Sequence, residues 1–237
     1  MHTPQLLFWS TYWGLLASEE LGGNKFEILG FENISSSNQS RSAFNFQGDG
    51  TLWGFLHEGS LKVHSKDLSW DVRPLQWFCL PYKNEVELRL ASGSRIFVMN
   101  STRHKGLASM GGPVETEGRL RYIDGCTDTV LYSPPMIGEP CMNLLHFPSG
   151  VDQTEHYHPS FRSGIVCRGK GVCVSISEDP LEVGTIFYLP PKIRHKFRTN
   201  NHSMDVISFH PDSDWGPTHD IHPMINRTWG TDGTDGN

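Results

Sequence analysis

Residues 150–158, GVDQTEHYH, and residues 184–195, GTIFYLPPKIRH, are the two stretches that decide the fold. Successive side chains of a β-strand point to opposite faces, so a strand through the first stretch places His156 and His158 on the same face. In the second stretch an apolar run ends at a proline, and His195 follows on what we expect to be a later strand of the same barrel. Three converging imidazoles predict a site for one divalent transition metal, with open positions for water or substrate.

The apolar segments of the chain are short, about five to eight residues each. Turn formers separate them, since the chain contains 24 glycines and 15 prolines. This pattern is typical of strands rather than of long helices and predicts an all-β protein. At 237 residues the chain is long enough for one all-β unit or for two barrels of about one hundred residues each.

A weak internal repeat favours two barrels. Residues 53–59, WGFLHEG, align with residues 163–169, SGIVCRG, and residues 75–81, LQWFCLP, align with residues 184–190, GTIFYLP. The last residues of the two aligned segments are 22 positions apart in the first half and 21 in the second. Two landmarks at nearly equal spacing indicate a duplicated β module.

The second half resembles the cupin family over about residues 140–210. The two cupin motifs are matched by Gly150, His156, His158 and Gly169, and by Gly184, Pro190, His195 and Asn200. The resemblance implies two tandem cupin barrels of the jelly-roll or double-stranded β-helix type, with one divalent metal inside the second. Fe2+ is the metal expected first, and Mn2+, Ni2+ and Zn2+ are alternatives. The competing interpretation is that the histidines are hydrogen-bonded barrel residues without a metal.

One position departs from the family pattern. Where cupins commonly carry a metal-binding glutamate, this chain has Arg162 or, with a slip of one residue, Ser163. A guanidinium cannot ligate a metal, so the resemblance implies a three-histidine site, as in the thiol dioxygenases and some diketone-cleaving cupins. Arg162 is then a candidate contact for a substrate carboxylate or phosphate, and a surface or ion-paired arginine is the alternative.

The first half lacks all three metal ligands. When the spacing of the second half is counted out from the aligned segments, the ligand positions fall on Phe46, Gly48 and Val86. None of these side chains can bind a metal. We therefore expect the first barrel to have a structural or interface role.

These patterns divide the chain into three parts. We expect a degenerate barrel at 1–115, a metal-binding barrel at 116–228 and a flexible tail at 229–237. The glycine-rich stretch Lys105–Gly118 shows no periodicity and is interpreted as the linker. Residues 210–222 are rich in turn formers and are expected to form a lid over the barrel mouth or a packed crossing.

Composition excludes several kinds of partner. A formal charge of −6, with scattered Lys and Arg, gives no basic stripe for nucleic acid. The apolar stretch Leu6–Leu16 is too short to span a bilayer, so we expect no membrane partner and assign this stretch to packing on a barrel or a second subunit. Five cysteines without a CxxC motif predict no disulfide framework and favour a cytoplasmic location. We expect a homodimer that binds a small-molecule substrate.

The resemblance makes a dioxygenase the first candidate activity. A non-catalytic metal- or ligand-binding protein is the second, and a metal-dependent lyase or isomerase is the third. In the dioxygenase interpretation Tyr188, Phe187 and Phe197 shape the pocket, and Tyr188 is also a candidate catalytic residue. The remaining histidines of the second half share no spacing and are interpreted as ordinary polar residues: His146, His202, His210, His219 and His222.

Overall fold

The fold is described by a computed structural model over residues 5–33 and 42–213. The predicted tail at 229–237, and all but the first four residues of the segment 210–222, lie outside the described residues. Over the described ranges the only helix is a single 3₁₀ turn, Ile123–Gly125, so none there is long and apolar enough to cross a membrane. The all-β prediction is confirmed.

The strands form two sheets, each of which builds one barrel. The first contains β2 (Gly14–Leu21), β3 (Asn24–Asn33), β4 (Ala43–Glu58), β5 (Leu61–Ser65), β6 (Ser69–Val72), β7 (Trp77–Leu90), β8 (Ser94–Ser101) and β9 (Ser109–Gly111). The second contains β1 (Leu7–Trp9), β10 (Leu120–Arg121), β11 (Thr127–Tyr132), β12 (Cys141–Phe147), β13 (Arg162–Val174), β14 (Glu178–Glu182), β15 (Ile186–Leu189), β16 (Lys196–Arg198) and β17 (Met204–His210).

The two sheets repeat one strand order. In the first sheet the path β2-β3-β8-β4-β7 corresponds to β11-β12-β17-β13-β15 in the second. The central strand pairs, β4 with β8 and β13 with β17, each carry one register shift. It lies between Leu56 and Glu58 in the first barrel and between Val166 and Arg168 in the second. These residues coincide in the alignment of 53–59 with 163–169, so the duplication predicted from the sequence is confirmed.

Two glycines show why the repeat was visible in the sequence. Gly54 lies opposite Phe78, and Gly164 lies opposite Phe187. A Cβ atom at Gly54 would lie 2.2 Å from the Phe78 ring, and one at Gly164 would lie 2.7 Å from the Phe187 ring. In both barrels an aromatic ring therefore packs directly on the backbone, and only glycine leaves room for it.

The two barrels exchange their entry strands. The strand β1 precedes the first barrel but pairs with β15 of the second, with Phe8 opposite Phe187. The strand β9 precedes the second barrel but pairs with β7 of the first, with Met110 opposite Phe78. The stretch expected to be an irregular linker thus contains a strand, and Leu7–Trp9 of the predicted domain 1–115 belongs to the second sheet. The boundary at 115 itself stays a prediction.

Apolar residues fill three regions: the interior of each barrel and the layer between the barrels. Strand β17 shows how alternation serves two of them, because Met204 and Val206 face the second interior while Ile207 and Phe209 face the layer. Phe209 packs on Trp53 of the first barrel with 5.2 Å between ring centroids. The outer face of this part of the second barrel is therefore buried against the first.

Candidate metal centre

The three histidines lie on irregular segments rather than on regular strands. His156 and His195 face each other in an isolated β-bridge, with backbone N–H···O distances of 3.0 and 2.9 Å in the two directions. His158 follows two residues later, and Pro159 after it has no N–H to extend a ladder. The expectation that residues 156–158 form a strand is wrong, but the bridge still brings the two segments together.

The three imidazole rings converge on one point. Ring centroids are 4.7 Å apart for His156 and His195, 5.1 Å for His156 and His158, and 5.3 Å for His158 and His195. One ring nitrogen from each lies within 4.8 Å of the others. Within residues 5–33 and 42–213 this is the one group of three or more His, Cys, Asp or Glu side chains with such spacing.

Backbone carbonyls orient two of the rings. His156 Nδ1 lies 2.8 Å from the carbonyl oxygen of Thr154, and His195 Nδ1 lies 3.1 Å from that of Ile193. A carbonyl only accepts, so each Nδ1 carries the hydrogen and Nε2 carries the lone pair. His195 Nε2 is buried and has no hydrogen-bond partner among the described residues. These residues fit a divalent metal ion, because neutral imidazoles with free Nε2 lone pairs are the form that binds one.

Burial keeps two of the three imidazoles neutral. It lowers the pKa of His158 to about 3 and that of His195 to about 4, and the positive charge of Arg162 acts in the same direction. Both imidazoles are therefore unprotonated at neutral pH. A metal can bind there without first displacing a proton.

The rings of His156 and His158 open onto a cavity of ≈ 30 Å³ inside the second barrel. A water molecule needs about 10–15 Å³ of such space, so the cavity has room for small ligands beside a metal ion. Its apolar lining includes Leu145, Phe147, Phe187, Leu189 and Phe197. Its polar lining includes Tyr122, Asp128, Gln153, Arg162, Ser208 and His210.

Arg162 is buried at the edge of this cavity. Its guanidinium donates to the Ser160 hydroxyl at 2.5 Å and the Phe161 carbonyl at 2.9 Å, and it lies 3.3 Å from the Asp212 carboxylate. Its Nε–H is buried and lacks a partner among the described residues. The alternative of an ion-paired arginine is thus correct in part, and one donor remains for a ligand.

Comparison with known proteins gives the fold its name. No protein-family model matches the chain, and no curated protein does. Solved structures do match. A cupin 2 conserved barrel domain protein from Leptotrichia buccalis is 10% identical, with a TM-score of 0.59 over 90% of this chain and 91% of that one. Bacillus subtilis oxalate decarboxylase, described with Mn(II) centres, is 9% identical, with a TM-score of 0.54 over 98% and 86%. Salicylate 1,2-dioxygenase from Pseudoaminobacter salicylatoxidans is 10% identical, with a TM-score of 0.57 over 79% and 68%.

The chain has the cupin fold. The two barrels are two cupin barrels in tandem, as the motifs in the second half predicted. The similarity at these identities concerns the fold alone. The chemistry of the site must be argued from its own residues.

Tyr188 lies outside the cavity of the second cupin barrel, which corrects its assignment to the pocket. Its ring packs in the layer between the barrels, near Phe161, and its hydroxyl donates to the Glu19 carboxylate on β2. Adjacent residues of a strand point to opposite faces, so Phe187 and Tyr188 cannot both line the cavity. Phe187 and Phe197 line it as expected.

His210 and Asp128 are among the cavity residues that were not identified as site residues from the sequence. His210, interpreted as an ordinary polar residue, lines the cavity, and burial lowers its pKa well below the usual value. Asp128 also lines it, and burial raises the pKa of its carboxyl group. Side chains alternate along β17, so His210 shares the inner face with Ser208. This grouping can be inferred from the sequence only when the inner face of β17 is already known.

The first cupin barrel carries an apolar pair at the position of the histidine bridge. Phe46 lies opposite Val86 across β4 and β7, as His156 lies opposite His195. Both residues are buried in the first interior. The ligands expected to be missing from this barrel are therefore replaced by packed side chains.

Proposed function

We propose that His156, His158 and His195 bind one divalent transition metal ion. The observation that carries this proposal is the convergence of three imidazoles, of which His195 Nε2 is buried without a partner among the described residues. Leaving a buried polar nitrogen unpaired costs about 1–3 kcal/mol, a cost that metal coordination removes. Fe2+ is the first choice, and Mn2+, Ni2+ and Zn2+ fit the same three nitrogens.

We further propose that the site is catalytic and acts on a small polar substrate with an anionic group. When bound, the metal supplies Lewis acidity and, for iron, reactivity towards oxygen. The free Nε–H of Arg162 binds the anion, and its contacts with Ser160 and Phe161 fix its direction. Phe187 and Phe197 exclude bulk water from the same space.

A dioxygenase is the preferred activity. Three neutral histidines leave several coordination positions free, which suits simultaneous binding of oxygen and substrate. One similar structure is a salicylate 1,2-dioxygenase. The lyase alternative finds a counterpart in the oxalate decarboxylase among the similar structures. A non-catalytic binding protein is the remaining candidate.

The metal is tested first, on protein purified without added metal or chelator. Plasma mass spectrometry should find about one equivalent of a transition metal in the wild type and almost none in His156→Ala/His158→Ala. His202→Ala serves as the matched control, since His202 is exposed and does not belong to the three-histidine group. Equal metal content in all three proteins, or none after reconstitution with Fe2+, Mn2+ and Zn2+, contradicts the site.

Oxygen uptake separates the activities. The iron-loaded protein should consume dioxygen when its substrate is found in a screen of small carboxylates, and the Zn2+-loaded protein should not. Turnover without oxygen uptake assigns the chain to the lyase class. A saturable ligand that is never converted assigns it to the binding class.

The chain is also proposed to form a homodimer. The support is an apolar patch at the edge of the first sheet, where Trp13 and Leu15 are 38% and 58% exposed. Light scattering on purified protein should give twice the 26.7 kDa chain mass, and Leu15→Lys should lower it. The cytoplasmic location stays a prediction.

A further inference from the structure

The internal repeat provides a control for the inner face of the second cupin barrel. At each equivalent position, the first barrel shows a residue that the fold accepts without a metal site. Strand register identifies these positions: Val98 and its partner Leu29 correspond to Ser208 and its partner Asn143. Two positions that are buried and apolar in the first barrel are therefore buried and polar in the second.

The same substitution occurs on both neighbouring strands. Leu52 pairs with Leu80, and at the equivalent place Arg162 pairs with Leu189. Trp13 lies two residues before Leu15, the partner of Leu29, and Asp128 lies two residues before the partner of Asn143 on the equivalent strand. Trp13 and Asp128 therefore occupy equivalent positions. We call the four polar residues of the second barrel the polar wall: Asp128, Asn143, Arg162 and Ser208.

The polar wall is buried and connected. Its four members are between 1% and 8% exposed. Asn143 Nδ2 donates to both carboxylate oxygens of Asp128, at 3.0 and 2.9 Å, and no cation pairs with Asp128 within the described part of the chain. Since the carboxylate only accepts, this contact fixes the Asn143 amide, and Asp128, which lines the cavity, can accept a further hydrogen bond.

Such a wall is not needed for folding. Buried polar groups cost free energy unless fully paired, and Arg162 Nε and Asn143 Oδ1 have no partner among the described residues. The first barrel folds around Leu52, Val98 and Leu29 at these positions. Asp128, Arg162 and Ser208 line the cavity and Asn143 bonds to Asp128, which indicates a ligand-binding role.

We propose that the polar wall reads two groups of the substrate: an anionic group at Arg162, and a hydroxyl or ammonium group that donates to Asp128. The substrate is thus a small molecule that carries both an anionic group and a hydroxyl or ammonium donor, and 2-hydroxy and 2-amino carboxylates are the smallest members of this class. This inference rests on the proposed metal site for its catalytic meaning. Asn143 is a positioning residue, because it acts through Asp128.

Three two-carbon probes test this class: glycolate, glycine and acetate. They share the carboxylate and skeleton, and acetate lacks the donor. Calorimetric titration of the Zn2+-loaded protein should show glycolate or glycine binding about tenfold more tightly than acetate, the worth of one hydrogen bond to a charged group. The same titrations on metal-free protein separate the wall from the metal, and metal content is measured on each sample.

Two variants replace residues of the polar wall with leucine, the residue that the first barrel has at the positions of Asn143 and Arg162. In Asp128→Leu/Asn143→Leu the preference over acetate should fall to less than about twofold with metal content unchanged. In Arg162→Leu the binding of all three probes should be lost. Thr129→Val is the matched control, because Thr129 precedes the next inward position on the same strand and bonds to Glu115 instead. Circular dichroism confirms that each variant folds.

The outcomes are distinct. Equal affinity for the three probes in the wild type overturns the substrate class. A preference that survives in Asp128→Leu/Asn143→Leu overturns the role of Asp128. A preference for glycine or for glycolate supports the wall and identifies the donor as ammonium or hydroxyl. If the wild type holds no metal but metal-free protein keeps the preference, the metal proposal fails and the polar wall stands.

Discussion

Arg95 and Asp205 occupy equivalent positions in the two barrels and carry opposite charges. Arg95 lies between Glu58 at 3.1 Å and Glu32 at 3.9 Å, while Asp205 lies between Arg168 at 2.9 Å and His146 at 2.6 Å. The register equates Glu58 with Arg168 and Glu32 with His146. Duplication has therefore kept a linked group of three polar side chains beside each register shift and exchanged the charges of the central residue and its partner across that shift.

Removing the centre of the second group should destabilise the protein. Asp205 is 4% exposed, and Asp205→Ala leaves Arg168 and His146 without their carboxylate. Because Arg168 is partly exposed, we expect a loss of about 2 kcal/mol rather than the larger cost of a fully buried pair. Urea denaturation measures it. Glu58→Gln, whose parent side chain is half exposed, should cost under about 1 kcal/mol, and a larger cost than Asp205→Ala contradicts this account.

Removing the centre of the first group should have a pH-dependent cost. Burial raises the pKa of Glu32, and Arg95 opposes that rise, so Arg95→Met raises the pKa further. A carboxyl whose pKa is higher in the folded state binds more protons there, so its penalty is full above the folded pKa and disappears as pH falls to the unfolded value. The variant should be destabilised more at about pH 8 than at about pH 5. A pH-independent difference from wild type would show that Glu32 is not involved.

The two repeat glycines should differ in their tolerance of a methyl group. At Gly54 a Cβ meets the Phe78 ring, which can tilt, whereas at Gly164 it also meets the backbone oxygen of Ile207 at 2.0 Å. We expect Gly164→Ala to lower the free energy of unfolding by more than about 3 kcal/mol and Gly54→Ala by about 1–3 kcal/mol. Thermal and urea unfolding of both variants test this order. A larger loss of stability in Gly54→Ala than in Gly164→Ala would contradict it.

The metal-free protein should lose stability on mild acidification. The folded state lowers the pKa of His158 to about 3 and of His195 to about 4, below the value of about 6.5 in an unfolded chain. The unfolded state therefore binds more protons as pH falls below about 6.5, and stability decreases until the folded pKa values are reached. The urea midpoint should fall between about pH 7 and pH 4.5, and less so in His158→Gln/His195→Gln. An unchanged midpoint in the wild type would contradict the burial of neutral rings.

Sequence reasoning identified the site better than its surroundings. His156, His158 and His195 are local in the sequence to two motifs, and the internal repeat correctly placed Phe46 and Val86 at the corresponding first-barrel positions. Both inferences depend on short spacings between residues, which are visible in the sequence itself.

Predicting the other cavity residues required knowledge of which face of each strand points into the barrel. Polar residues of a strand usually face solvent, but the outer face of β17 is buried by the first barrel, so Ser208 and His210 point inwards. Tyr188 was misassigned for the same reason, since both faces of β15 are apolar. The exchange of β1 and β9 depends on contacts between strands far apart in the chain, for which no local signal exists.

The exchanged strands also set an order for biosynthesis. Leu7–Trp9 is synthesised roughly 180 residues before its partner Ile186–Leu189. At roughly 5–20 residues per second, the gap lasts on the order of 10–40 s, during which Phe8 has no strand beside it. The first barrel can gain its own edge strand earlier, once Ser109–Gly111 emerges. A nascent chain thus closes its barrels in sequence, and the opening segment remains available to a chaperone until the second barrel is complete.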